Sequence, residues 1–361
     1  MKKIWRYIYI TSIFGMLVLA TACSSDKPDP IHINPSDIVV SNSGDNLTQN
    51  PFEMDEKNVV LGSINHHAVN LQADEAGRVL PIQYNGGELK IDYSVNASGK
   101  ARNVGFLLFI DGLPQPYKLD SSGTAYEYMH IFELEENKAT PFTFTFTPIT
   151  GKKGELLPIK FVSVYNPSFI PDMKVTASYG GDQTILEAGG EVFFNKDTEQ
   201  WAVPLSSKQA GLLNVRQSTE RVTQELLVSH GRSEKIAIET LDSKVFSELY
   251  VDGSIRHDNL KVENSGLLQI TFKLFGHPGV SYRNTIYLNH KPLESQDGVS
   301  FPMALTKGNL EVLSAEITLD QLGDFSTFYV VSVPLNAEDF YDDVIILEKT
   351  PSLLLYKGAG I

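Results

Sequence analysis

The feature that most constrains the fold is a strict alternation of apolar and polar residues in several short segments. Residues 89–95, 142–147, 235–239 and 268–274 all alternate in this way. Successive side chains of a β-strand point to opposite faces of its sheet, so a period of two predicts a half-buried strand. Phe142, Phe144 and Phe146 share one strand face and are therefore predicted core residues.

Glycine-containing turn signals separate these segments. Asn85-Gly86, Asp111-Gly112, Asp252-Gly253 and Asp297-Gly298 are dipeptides that favour the left-handed backbone of tight hairpins. Helical periodicity is weak throughout, and its best candidate, residues 219–227, fits a short helix or a strand equally well. The chain is therefore predicted to be all-β.

An order of short segments recurs in the two halves of the chain. The first half contains, in order, Leu89-Lys90-Ile91-Asp92-Tyr93, Arg102-Asn103, Leu108-Phe109-Ile110-Asp111, Pro114 and Val162-Ser163-Val164. The second half contains Leu268-Gln269-Ile270-Thr271-Phe272, Arg283-Asn284, Ile286-Tyr287-Leu288-Asn289, Pro292 and Val331-Ser332-Val333. A tandem duplication explains this order, although chance recurrence is an alternative because all-β chains draw on few residue types.

Each half has the length and strand rhythm of an immunoglobulin-like sandwich, about 100 residues. The Cys–Trp–Cys pattern of antibody domains is absent, so the chain resembles the disulfide-free immunoglobulin-like modules of bacterial surface proteins. The resemblance implies two tandem β-sandwiches, over residues 58–175 and 255–361. Residues 176–254 are expected to extend the first sandwich or to form a β-rich segment between the two.

The amino terminus has the layout of an export signal. Lys2, Lys3 and Arg6 precede an apolar run over residues 7–19, which is too short for a comfortable membrane span. Ala20-Thr21-Ala22 and the only cysteine, Cys23, follow it. This segment resembles the lipobox of bacterial lipoprotein precursors, with Ala20 where that pattern usually has leucine. The resemblance implies cleavage between Ala22 and Cys23, and a diacylglycerol thioether and fatty acyl group on Cys23.

The lipid would anchor the chain outside the cytoplasm, at the bacterial cell membrane or outer surface. Residues 23–57 are rich in Ser, Asp, Asn and Pro and are predicted to be a flexible tether. Removal of residues 1–22 lowers the formal charge from −14 to −17, because three basic residues and no acidic residue are lost. Such an acidic chain is not expected to bind nucleic acid, which requires a basic surface.

No catalytic motif is present. Gly-x-Ser-x-Gly, His-Glu-x-x-His, Cys-x-x-Cys and the phosphate-binding glycine motifs are all missing, so neither an enzyme nor a cofactor beyond the covalent lipid is predicted. Trp201, with polar flanks, is a weak candidate for ligand stacking. Asp339, Asp342 and Asp343 are weak metal candidates in an acidic segment that a solvated loop explains equally well. His66 and His67 are adjacent, so in a strand they would point to opposite faces.

These observations favour a membrane-anchored binding or interaction module of the bacterial cell envelope, with an unknown protein or glycan partner. One alternative is a glycan- or peptidoglycan-acting hydrolase, which would need two close carboxylates across a cleft. Another is a structural subunit of a surface assembly. Donor-strand assembly would require an incomplete sandwich or a long exposed edge.

Overall fold

A computed structural model shows two β-sandwiches joined in one compact unit. It describes residues 62–99, 101–119, 123–171, 183–199, 205, 210–230, 241–255 and 258–357. Predicted strand 235–239 lies outside the described residues.

Ten strands build the first sandwich. In chain order they are β1 (Ile64–Ala68), β2 (Ile82–Tyr84), β3 (Leu89–Ala97), β4 (Asn103–Ile110), β5 (Leu113–Pro114), β6 (Lys118–Leu119), β7 (His130–Glu133), β8 (Thr140–Phe146), β9 (Leu156–Tyr165) and β10 (Ile185–Phe194). One sheet has the order β1-β3-β8-β6, and the other has the order β2-β10-β9-β4-β5, with β7 also paired to β4. In immunoglobulin letters these are A-B-E-D and A′-G-F-C-C′.

The second sandwich repeats this arrangement. Its elements are β11 (Leu213–Arg221), α1 (Gln224–His230), β12 (Val245–Val251), β13 (Ser254–Ile255), β14 (Asn259–Lys261), β15 (Leu267–Gly276), β16 (Ser281–Leu288), β17 (Lys291–Pro292), β18 (Phe301–Ala304), β19 (Asn309–Thr318), β20 (Phe325–Pro334), β21 (Glu348–Lys349) and β22 (Leu353–Tyr356). The sheets have the orders β11-β19-β15-β12-β13 and β14-β22-β20-β16-β17. Strands β12, β15 and β19 thus take the A, B and E places. The D place beside β19 is taken by β11, which precedes the A strand in the chain.

The prediction of an all-β chain with two tandem immunoglobulin-like sandwiches is confirmed by this topology. The recurring segments fall at equivalent register positions, since Phe109 pairs with Pro114 as Tyr287 pairs with Pro292. The Arg-Asn pairs do not, because Asn103 begins β4 whereas Asn284 lies in the middle of β16. Within residues 176–254, β10 belongs to the first sandwich and β11 and β12 to the second. The domain limits themselves stay a prediction.

Local patterns explain the elements. Strand β3 alternates buried and exposed residues along its first five positions, and Phe142, Phe144 and Phe146 are core residues as predicted. Asp111 and Gly112 have φ angles of 48° and 72°, which is the left-handed backbone that a two-residue hairpin requires. Residues 219–227 are divided, because β11 ends at Arg221 and α1 begins at Gln224.

The two sandwiches pack through their C, F and G strands. Apolar side chains of β4 and β9 form one buried cluster with those of β16 and β20. It comprises Leu107, Phe109, Val162, Val164, Tyr287, Tyr329, Val331, Val333 and Leu347. Because each F-G-C sheet covers its own core with one face and the other sandwich with the opposite face, both A-B-E sheets keep one face turned outward.

Candidate functional site

The outward face of the β1-β3-β8-β6 sheet is polar. Lys90 and Asp92 of β3 point outward because Leu89, Ile91 and Tyr93 point to the core. In the antiparallel register Lys90 lies opposite Thr145 and Asp92 lies opposite Thr143 on β8. Pairing therefore places two charged and two hydroxyl side chains in one patch of the sheet.

Two cavities meet at this patch. The larger cavity has a volume of about 620 Å³, and the smaller has a volume of about 220 Å³. Lys90 and Asp92 line both. The larger is further lined by Glu88, Lys118, Leu119, Gly123, Thr124, Tyr126, Thr143 and Thr145. The smaller continues toward residues 69–72 and 80–83. We refer to the larger cavity as the first groove.

Polar contacts hold the walls of the first groove. Glu88 Oε1 accepts a hydrogen bond from the Tyr126 hydroxyl at 2.7 Å and pairs with Lys118 Nζ at 2.5 Å. The bond from Lys118, followed by that from Tyr126, lowers the pKa of Glu88. Asp92 Oδ1 accepts a hydrogen bond from the Thr143 hydroxyl at 2.8 Å. Two lysines and two carboxylates line the groove, so its formal charge balances.

The second sandwich has a cavity at the equivalent place. It has a volume of about 240 Å³, and its lining includes Asn214, Arg216, Gln269, Ser314 and Glu316. Glu316 Oε1 accepts a hydrogen bond from Gln269 Nε2 at 2.6 Å, and Oε2 accepts one from Asn214 Nδ2 at 2.7 Å. Both bonds lower the pKa of Glu316. Gln269 and Glu316 occupy the register positions that Lys90 and Thr145 hold in the first sandwich.

Of the residues singled out by the sequence, Asp339, Asp342 and Asp343 are described, and none of them lines the first groove. Ala22, Cys23 and Trp201 lie outside the described residues, so their assignments stay predictions. Asp339 and Asp342 are exposed, while Asp343 Oδ2 accepts a hydrogen bond from His277 Nε2 at 2.8 Å. Over the described part of the chain, no group of three or more His, Cys, Asp or Glu side chains is arranged to hold a metal ion.

The histidine pair of β1 is divided between two faces, as the strand period predicts. His66 is buried and His67 is exposed. His66 Nε2 lies 3.2 Å from the Leu186 carbonyl, which can only accept, so this nitrogen carries the proton and Nδ1 accepts from the Tyr93 hydroxyl at 2.6 Å. Burial lowers the pKa of His66 to about 4. His66 is therefore a neutral part of the core at pH 7.

A polar network crosses the junction between the sandwiches. His290 Nε2 donates to the Pro167 carbonyl at 3.0 Å, and its Nδ1 lies 3.1 Å from the Tyr329 hydroxyl. Lys349 Nζ donates to the Gln183 carbonyl at 3.0 Å and lies 4.7 Å from the centre of the Tyr329 ring. Burial lowers the pKa of His290 to about 4 and that of Lys349 to about 7. These contacts tie the two sandwiches together.

Among the described residues, the buried and partly buried carboxylates do not form the cleft that a hydrolase would need. Glu248 is buried, with Oε2 accepting from the Tyr250 hydroxyl at 2.5 Å. Burial, followed by the nearby Glu187, raises the pKa of Glu348. Glu187 and Glu348 lie at the junction between the sandwiches, and neither they nor Glu248 line the three cavities described above. The two carboxylates that do line the first groove, Glu88 and Asp92, are each held by a neighbouring side chain, and the hydrolase stays an alternative.

Among the described strands, no empty place in either sandwich supports the assembly alternative. Both sandwiches have strands at the A, B, E and D places of one sheet and at the A′, G, F, C and C′ places of the other. Completion of a sandwich by a donor strand needs one of these places to be empty. The D place of the second sandwich is filled from within the chain, by β11.

Sequence reasoning missed the groove, although its signal was present. Lys90, Asp92, Thr143 and Thr145 are the polar members of the alternating segments that predicted the strands. A period of two shows that they share the outward side of each strand, but only the pairing of β3 with β8 brings them together. In the described part of the chain, no helix is long and apolar enough to cross a membrane.

Comparisons with known proteins give no family. No protein-family model and no curated protein sequence matches this chain. A chimeric titin Z1Z2-Z1Z2 tandem aligns with 82% of this chain and 100% of its own, at 8% identity and a TM-score of 0.18. A putative membrane anchored protein from Corynebacterium diphtheriae aligns with 82% of this chain and 60% of its own, at 8% identity and a TM-score of 0.22. These TM-scores are too low to support an assignment of the fold, which is therefore assigned from the strand order.

Proposed function

We propose that this protein is a lipid-anchored binding module of the bacterial cell envelope, and that the first groove binds a neutral, hydroxyl-rich ligand such as a glycan segment. The observation that carries the binding function is the outward cavity of about 620 Å³ with polar walls. Its position on the A-B-E sheet leaves it open to large ligands, because the two sandwiches pack through the opposite sheets.

The chemistry of the walls favours a neutral ligand. Glu88 is already paired with Lys118, and Asp92 already accepts from Thr143, so a charged ligand that binds at any of these three charged groups would have to displace an existing partner. Hydroxyl groups both donate and accept, and they match the threonine, lysine and carboxylate groups of the groove without breaking these pairs. Saccharides present such hydroxyls in the envelope.

The groove is tested by binding measurements on the full chain in detergent, with a panel of purified neutral and anionic cell-wall oligosaccharides as probes. Asp92 is exposed and lines both cavities, so Asp92→Ala should leave the fold intact and weaken binding of a neutral oligosaccharide by about tenfold or more. Thr271→Ala changes the equivalent outward position of the second sandwich and is the matched control. Equal affinity for Asp92→Ala and the parent, or binding of anionic probes alone, contradicts the proposal.

The proposal of lipid anchoring is based on the lipobox-like segment that ends at Cys23. Two or three acyl chains on Cys23 would hold the chain stably at the membrane. Residues 23–57 would then let the sandwiches stand up to roughly 120 Å from it when fully extended. Cys23→Ser should abolish labelling by a palmitate analogue and release the chain from the membrane fraction, whereas Ser24→Ala should change neither. Unchanged labelling in Cys23→Ser would refute lipid anchoring.

A further inference from the structure

The connection between β20 and β21 exposes large apolar side chains. In residues 336–347, which we call the acidic loop, the exposed fraction is 93% for Tyr341, 85% for Val344 and 46% for Ile346. Single exposed apolar residues are common on protein surfaces. Three of them within six residues of one loop, including an almost fully exposed tyrosine, form an apolar surface that no described part of the chain covers.

Contacts at both ends and in the middle hold the acidic loop in place. Asn336 Oδ1 accepts from the Ser281 backbone N–H at 2.9 Å at the start of the loop. The Phe340 ring packs edge-on against His277, with ring centres 4.6 Å apart, and His277 also binds Asp343. At the end, the Leu347 backbone N–H donates to Glu187 of the first sandwich at 3.3 Å. These contacts leave Tyr341 and Val344 as the projecting residues.

The exposed apolar residues lie close to acidic ones in the loop. Glu338, Asp339 and Asp342 are all exposed, and residues 336–347 contain no lysine or arginine. The loop therefore presents a tyrosine and a valine in a negative local field. A surface that complements it must combine positive charge with an apolar cavity for the ring.

We propose that the acidic loop docks a partner protein through a basic surface that has an apolar pocket for Tyr341. A second copy of this chain is disfavoured, because its formal charge of −14 would bring like charges together. An anionic membrane surface would repel the loop for the same reason. The rigid attachment of the loop lowers the ordering cost of docking, since the tyrosine is already presented. Tyrosine is also among the residues that contribute most to binding at protein interfaces.

A photo-crosslinking residue at position 341 of the full chain, in the cells that express it natively, tests this proposal. The expected adduct is a single basic protein, identified by mass spectrometry and then purified. That protein should bind the parent chain more weakly as salt rises.

Tyr341→Ala should weaken binding of the purified partner by about tenfold or more. Asp342→Asn should weaken it less and flatten the salt dependence. Val79→Ala and Asp297→Asn, at exposed positions elsewhere, are the matched controls and should bind as the parent does.

Several results would overturn the proposal. They are an adduct with lipid, an adduct with another copy of the chain, an acidic partner, or no adduct at all. Binding by the purified partner that ignores Tyr341→Ala would overturn it as well. The acidic loop and the first groove lie on different sandwiches, so loss of oligosaccharide binding in Asp92→Ala leaves this result unaffected, and the two proposals fail separately.

Discussion

The two sandwiches share a strand order but fill their cores differently. Nine of the 20 buried residues described in the first core are aromatic, against four of 25 in the second. The clearest contrast is at one register position of the E strand. Phe144 lies opposite Ile91 in the first sandwich, and Ala315 lies opposite Ile270 in the second. Both are buried, so the same place in the fold holds side chains of very different volume.

The contrast shows that alternation, and not residue identity, specifies this topology. Phe144 is surrounded by rings, with centres 4.7 Å away in Tyr117 and 5.1 Å away in both Tyr93 and Phe161. The second core consists mostly of leucine, isoleucine and valine. Close packing is reached by each core separately, so a residue is not exchangeable between equivalent positions.

The largest expected effect comes from giving the first core the residue of the second. Phe144→Ala removes a ring that contacts several others and leaves a cavity that these aromatic neighbours cannot fill. It should lower the free energy of unfolding by about 3–5 kcal/mol. Chemical denaturation followed by intrinsic tyrosine fluorescence measures the change.

Phe142→Leu is the matched control for this comparison. Leu313 occupies the equivalent position of the second sandwich, and leucine keeps most of the apolar volume of phenylalanine, so the cavity left in the first core is small. Its cost should be clearly smaller than that of Phe144→Ala. Equal costs for the two variants would show that the aromatic cluster around Phe144 is not the source of the difference.

The next effect is a loss of stability in acid, to which both sandwiches contribute. The pKa values of His66 in the first and His290 in the second are both lowered to about 4, from about 6.5 in an unfolded chain. Above pH 6.5 both states are neutral. Between pH 6.5 and 4 the unfolded chain binds protons that the folded chain does not, so stability falls as the pH falls. Each histidine should contribute about 3 kcal/mol to this loss.

Denaturation midpoints measured from pH 7 to pH 4 test the two contributions. His66→Gln keeps a donor for the Leu186 carbonyl and an acceptor for Tyr93, but it cannot titrate. It should therefore reduce the acid-dependent loss by about 3 kcal/mol, and His290→Gln should reduce it by a similar amount. A loss that is the same in both variants and the parent would assign the acid sensitivity to other groups.

The sequence predicted what depends on local pattern and failed where distant segments meet. Alternation identified β3, β8 and β15, and Asp111-Gly112 identified the hairpin between β4 and β5. The place of β11 beside β19 was not predictable, because that strand comes from before the A strand, whereas β6 fills the same place in the first sandwich from between β5 and β8. Its mostly exposed residues also give no strong alternation.

The candidate site shows the same division. Lys90 and Thr145 were visible as polar members of two strands, yet their pairing depends on a register between segments about 50 residues apart. The acidic segment at 338–343 was visible too. The sequence could not show that its neighbours Tyr341 and Val344 would project, because that follows from the contacts of Phe340, Asp343 and Leu347 with distant residues.

The smallest expected effect concerns the equivalent turns after β4 and β16. Asp111 and Asn289 both have left-handed backbone, with φ angles of 48° and 50°. Asp111 reaches across the junction, where its Oδ2 accepts from Arg283 Nη1 at 2.9 Å, whereas Asn289 Oδ1 binds the Thr327 N–H of its own sandwich. Asp111→Asn keeps the backbone preference and removes the charge, so it should cost about 1 kcal/mol or less.

The dependence of this cost on salt concentration shows whether Asp111 contributes through its charge or through its geometry. The cost of Asp111→Asn should shrink as ionic strength rises, because the ion pair at the junction is only partly buried. The reciprocal variant, Asn289→Asp, keeps an oxygen acceptor for Thr327 and should leave the denaturation midpoint nearly unchanged at any salt concentration. If Asp111→Asn costs as much in high salt as in low salt, the carboxylate contributes geometry and not charge. The two turns would then differ only in which sandwich their side chains bind.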